Sequence, residues 1–139
     1  MRKLIPSGSL RAMVLPPTYG RHVTKSNEFT VLSVEIWTSG LVVNIQMASD
    51  GGPEPRIILQ DHFGTEYSLQ DSAVLDSRNL QVFTPSVPPG TRSLTVRSAD
   101  DAEARQVVTF AVPLMAVPDE SAAAKRDHYP PGPELRRPA

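Results

Sequence analysis

Leu59-Gln60-Asp61-His62-Phe63-Gly64-Thr65-Glu66-Tyr67, followed by Val82-Phe83-Thr84-Pro85-Ser86-Val87-Pro88-Pro89-Gly90-Thr91-Arg92-Ser93-Leu94-Thr95-Val96, decides the fold of this 139-residue chain. Both stretches set short β-branched and aromatic runs against glycine and proline corners. Glycine adopts a left-handed turn position without steric cost, and proline ends a ladder by removing a backbone donor. Gly64 therefore marks a tight turn after the Leu59 strand, with Tyr67 filling the core beside it. Pro88-Pro89-Gly90 marks a corner at which the chain passes from one sheet to another. No helix of useful length fits between them.

Working outward, Phe29–Thr38 reads as a strand whose strict alternation puts Leu32, Val34 and Ile36 on one face. Phe29, Val31, Ser33, Glu35 and Trp37 fall on the other. Ser39-Gly40 turns the chain, and Leu41–Ala48 runs back. Its set Leu41, Val43, Ile45 and Met47 is wholly apolar and faces the core, which makes this the clearest hairpin. Arg56–Gln60, Thr65–Leu69, Leu80–Thr84, Ser93–Ser98 and Arg105–Val112 read as further strands. Asp50-Gly51-Gly52-Pro53-Glu54-Pro55 is a loop by composition, and Asp71–Asn79 reads as an irregular polar loop anchored by Val74 and Leu75.

About seven strands at roughly 8–12-residue spacing predict an all-β sandwich. Residues 1–27, punctuated by Pro6, Gly8, Pro16, Pro17 and Gly20, read as an extended N-terminal arm with one β-segment at Leu10–Leu15. Residues 28–114 form the sandwich, and 115–139 a proline-rich C-terminal tail in which only Glu120–Asp127 offers a short helical pattern.

Asp61, Gly64, Thr65 and Tyr67, then Phe83, Pro85, Pro88, Pro89, Gly90, Leu94 and Val96, give a wider pattern. It runs Asp-x-x-Gly-Thr-x-Tyr, then Phe-x-Pro, Pro-Pro-Gly and Leu-x-Val. This resembles uncharacterised immunoglobulin-like β-sandwich domains of actinobacterial proteins. The likeness covers about Val31–Leu114 and implies a seven-stranded immunoglobulin-like sandwich with extended termini. It implies no catalytic residues, because such sandwiches serve many unrelated roles.

Composition narrows the function classes. Fourteen basic and 15 acidic residues leave a formal net charge of −1, with no field to attract nucleic acid or an anionic membrane. There is no cysteine, hence no disulfide or thiolate metal site. Leu4-Ile5 is broken by Pro6-Ser7-Gly8, short of a secretory apolar region, and no segment has the length of a membrane span. The expectation is a soluble, cytoplasmic protein.

Candidate chemistry is sparse. His22, His62 and His128 lie far apart, without the close-spaced pairs of a zinc site. Asp50, Glu54, Asp61, Glu66, Asp71 and Asp76 lack calcium-loop spacing and read as turn-forming or solvating carboxylates. No Gly-x-Ser-x-Gly elbow occurs, and Gly51-Gly52 runs into Pro53 rather than opening a phosphate-binding helix. No catalytic, metal or cofactor residues are assigned, and no cofactor is expected.

Partner-binding candidates are clearer. Leu10, Met13, Val14 and Leu15 make the arm too apolar for a free tail. Trp37, the single tryptophan, is either a core residue or an exposed anchor. Tyr129, Pro130 and Pro131 begin a polyproline-like segment. The expected function is a non-enzymatic interaction or structural assembly subunit. It would contact a protein partner or further copies of itself through edge strands and terminal arms. A small-ligand or carbohydrate-binding module is the alternative.

Overall fold

The structure, a computed structural model, describes residues 6–24, 27–50, 52–100 and 105–115. Among these residues nine strands follow in chain order: β1 (Leu10–Val14), β2 (His22–Val23), β3 (Glu28–Trp37), β4 (Leu41–Met47), β5 (Ile57–Gln60), β6 (Ser68–Leu75), β7 (Arg78–Thr84), β8 (Ser93–Ser98) and β9 (Gln106–Ala111). They build two antiparallel sheets. One runs β1-β3-β4-β7-β6 with β2 also on β3, and the other runs β5-β8-β9.

The strand with the cleanest alternation sits at the centre of the larger sheet. Leu41, Val43, Ile45 and Met47 of β4 are all buried, as their period of two requires. They meet Ile57, Leu59, Leu94, Val96 and Phe110 of the smaller sheet in one apolar core, joined by Phe83 and Val87. This is a β-sandwich.

β3 departs from strict alternation. Phe29 and Val31 are buried in the same core as Val34 and Ile36, although an odd step separates the two pairs. The cause is a bulge: Val31 lies opposite Ile45 and Ser33 opposite Asn44, so Leu32 and Ser33 share one partner residue. One extra residue resets the pleat and turns both apolar pairs inward. Leu32 leaves the face that alternation alone assigns to it.

Two further expectations change. Asp71–Asn79 is not an irregular loop: β6 and β7 pair through it, with Leu75 opposite Arg78 and Asp76 at a φ of 56° in the turn. Asparagine and aspartate tolerate that left-handed position better than other side chains. Nor does the chain return beside β5 after Gly64 (φ 77°). β5 belongs to the smaller sheet and β6 to the larger, so this turn, like the Pro88-Pro89-Gly90 corner between β7 and β8, passes between sheets.

The larger sheet is wider than its partner, and polar side chains bridge the overhang. Asn79 and Gln81 of β7 are buried, opposite the core residues Ile45 and Val43. Gln81 Nε2 donates to the Pro55 carbonyl at 2.7 Å and to Asn79 Oδ1 at 2.8 Å. Asn79 Nδ2 donates to Glu54 Oε1 and to the Ala73 carbonyl, both at 3.0 Å. The segment leading into β5 thus covers the inner face of β7 where no strand of the smaller sheet does.

The bulge makes a sharp prediction. Phe29→Ala should cost about 3–5 kcal/mol and Val34→Ala about 2 kcal/mol or more, because both leave a cavity in one core. Leu32→Ala should cost less than about 1 kcal/mol. Strict alternation would instead group Leu32 with Val34, and denaturant midpoints of the three variants decide between the two.

Candidate functional site

The arm candidates are placed by how β1 is held. Gly8 has a φ of 96°, and any side chain there would collide with Thr38 Oγ1. That close approach lets Ser9 N donate to Thr38 Oγ1 at 3.0 Å, while Thr38 N donates to the Ser9 carbonyl at 2.9 Å. Ser39 Oγ adds a short bond to the Ser7 carbonyl. The chain ahead of β1 is thereby tied to the β3–β4 turn, and β1 runs antiparallel along β3.

Pairing sorts the arm residues by face. Val14 lies opposite Val34 and is buried in the core. Leu10 lies opposite Trp37 and Met13 opposite Glu35, and they remain 48% and 54% exposed. Leu15, just past β1, is 58% exposed and faces a different place, beside β9. Trp37 is half-buried and belongs to no core cluster; its Nε1 donates to Glu35 Oε1 at 3.0 Å. The structure therefore brings Leu10, Met13 and Trp37 together and separates Val14 and Leu15 from them. Tyr129, Pro130 and Pro131 lie outside the described residues.

The outward face of the larger sheet continues the apolar run. Glu35 pairs with Val42 and Val42 with Val82. Val42 and Val82 are only 4% and 6% exposed, yet neither belongs to the core between the sheets. Alternation alone does not mark these two valines as buried. Their signal was Val42 interrupting the polar set of β4, where Asn44 and Gln46 follow the ordinary outward pattern.

One carboxylate has a distinct environment. Asp61 is buried where β5 ends. Its Oδ1 accepts the backbone N–H groups of Phe63 at 2.8 Å and Thr65 at 3.1 Å, and Tyr67 Oη donates to its Oδ2 at 2.6 Å. Burial pushes this carboxyl upward, but the hydrogen bonds from Tyr67, Thr65 and Phe63 outweigh that and hold it below its ordinary value of 3.8. Burial, then the bond to Asp61, raises the Tyr67 phenol above its ordinary value of 10.0. The arrangement pins the sheet-to-sheet turn. Tyr67 itself is only partly buried against the core.

Among the described residues, no three His, Asp or Glu side chains gather as a metal site, and no helix is long and apolar enough to cross a membrane. His22 packs edge-on against Phe29, and His62 lies beside Phe63. His128 falls outside the described residues. The chain matches no family model, no curated protein and no solved structure.

The Asp61–Tyr67 contact should set the pH limits of stability. A lowered carboxyl value contributes above the unfolded value of about 4 and is lost as pH falls through the folded one. A raised phenol value contributes below about 10 and is lost as pH rises beyond it. Tyr67→Phe should cost about 1–2 kcal/mol and Asp61→Ala about 2–4 kcal/mol, since the latter strands two backbone donors. Asp61→Asn should flatten the acid limb in denaturant titrations at several pH values; an unchanged acid limb contradicts the assignment.

Proposed function

We propose that the protein is a non-enzymatic immunoglobulin-like interaction or assembly subunit. It contacts another protein, or further copies of itself, through the outward face formed where β1 lies on β3. The observation that carries this reading is the placement of Leu10 and Met13 beside Trp37. Two large apolar side chains stand about half exposed on a strand that is firmly tied down, next to an aromatic ring and a valine pair. Fixed apolar and aromatic side chains bind with little ordering cost, and aromatic anchors contribute disproportionately to interfaces.

The immunoglobulin-like part of the reading is supported by strand order. β3-β4-β7-β6 against β5-β8-β9 follows the four-plus-three arrangement of constant-type immunoglobulin sandwiches, with β1 and β2 added at one edge. The reading of Asp61 as a turn residue fits the same picture, because both carboxylate oxygens are engaged within their own loop.

Native mass by light scattering across a concentration range tests the proposal, with Trp37 emission recorded in parallel. Met13→Lys should weaken association by at least about 30-fold, which corresponds to about 2 kcal/mol, without moving the thermal midpoint. Identical mass and emission for wild type and variant at every concentration, with no unlike subunit retained by either, would overturn the reading.

A further inference from the structure

A second exposed place lies along β9, away from the outward face of β1. Among the described residues β9 pairs with β8 alone. The connection between β1 and β2 comes near β9 at two places. Near the start of β9 that connection comes close: Thr18, Gly20 and His22 share a small cavity of about 100 Å³ with Val107 and Val108. Arg105 Nη2 also donates to the Val23 carbonyl at 3.0 Å. Towards the end of β9 the connection stands off. Leu15 and Pro17 line an open groove of about 370 Å³ together with Thr109–Ala111 and, where β8 begins, Arg92 and Ser93.

The prolines explain the gap. Pro16 and Pro17 have no N–H, so this part of the arm cannot donate to β9, and no strand is formed between Val14 and His22. Among the described residues the free edge of β9 at Thr109–Ala111 therefore has no strand partner. Among the described residues, Arg92 is the one charged side chain lining the groove. It is exposed, and its guanidinium has no hydrogen-bond or ion-pair partner among the described residues. Among the described residues, apolar side chains, a backbone edge without a strand partner and one solvent-facing cation together suit an extended, acidic occupant.

We propose that this groove takes an extended segment of a partner protein, added to β9 as a further strand. Its apolar side chains lie against Leu15 and Pro17, and one glutamate or aspartate carboxylate pairs with Arg92. Backbone bonds of the added strand supply affinity, while the guanidinium selects an acidic residue by charge and by its planar fork. β6, one of the two terminal strands of the larger sheet, carries Asp71 within the strand and disfavours such a segment. The proposal rests on the interaction reading above and gives the chemistry of one partner segment.

The test uses the isotopically labelled full chain and two short acetylated, amidated peptides of alternating valine and threonine. One carries a central glutamate and the other a glutamine at that position. The expected result is saturable NMR shifts at the amides of Thr109, Phe110 and Ala111 with the glutamate peptide. The glutamine peptide, and Arg92→Gln with the glutamate peptide, should each bind at least about tenfold more weakly, a difference of about 1.4 kcal/mol. Among the described residues Arg92 has no side-chain partner to lose, and an unchanged thermal midpoint shows that the variant is folded. Equal affinity for the two peptides, shifts centred on β6, or no saturable binding overturns the proposal. Met13→Lys separates the two readings. If it abolishes association while the peptide fails to bind, only the groove assignment falls; if it changes nothing while the peptide binds, the outward-face reading falls.

Discussion

The bulge at Leu32 and Ser33 is the constraint on which the sandwich depends. β3 is ten residues long, and a strand of that length must keep one face on the core from end to end. Phe29 and Val31 enter in one phase of the pleat, Val34 and Ile36 in the other. Without an extra residue one pair would point to solvent, at about 1.5–3 kcal/mol for each large side chain left exposed. With it, the same strand pairs with β4 along its length, receives β1 near its end and β2 near its start. A further bulge in β1, between Leu10 and Ala12, then settles which arm side chains face outward.

The second organising fact is unequal width. A five-strand path, with β2 added, faces three strands, so part of the larger sheet has no sheet opposite it. On the β7 side the protein fills the space with hydrogen-bonded amides rather than apolar side chains. A buried amide is tolerable only when its donors and acceptors are met, and Gln81 and Asn79 reach the Pro55 carbonyl and the Glu54 carboxylate. Further out, Leu69 and Val74 of β6 are left substantially exposed although their register partners Phe83 and Asn79 are buried. The opposite margin is closed by the arm, which is why residues ahead of the sandwich proper end in its core.

These features explain what could be read from the chain and what could not. β4 was legible because its pleat is uninterrupted and its apolar set complete. The corner at Pro88-Pro89-Gly90 was legible because proline and glycine act locally. The phase of β3 is hidden because nothing in Leu32-Ser33 announces an inserted residue; the bulge is specified by both ends of the strand needing the same core. The β6–β7 hairpin was hidden because an edge strand over the overhang has little to bury, so Asp71, Ser72, Ser77 and Asn79 look like loop residues. The pairing of Leu10 with Trp37 was equally invisible. It depends on Gly8 and Thr38, 30 positions apart in sequence, meeting at a turn.

Both candidate surfaces have a common origin in how the arm is built. A strand laid on an edge must expose one face. β1 uses Val14 to hold on and leaves Leu10 and Met13 outside. The paired prolines that follow cannot donate to β9, so among the described residues its edge has no strand partner beside Leu15. Isolated exposed apolar residues need no special explanation. Leu10 and Met13 differ because backbone pairing immobilises them beside an aromatic ring, and Leu15 because it lies beside an edge and a guanidinium that have no partner among the described residues. On the interaction reading, the arm is therefore part of the binding surface as well as part of the fold. Its hydrogen bonds to the β3–β4 turn fix the orientation of the side chains a partner would meet.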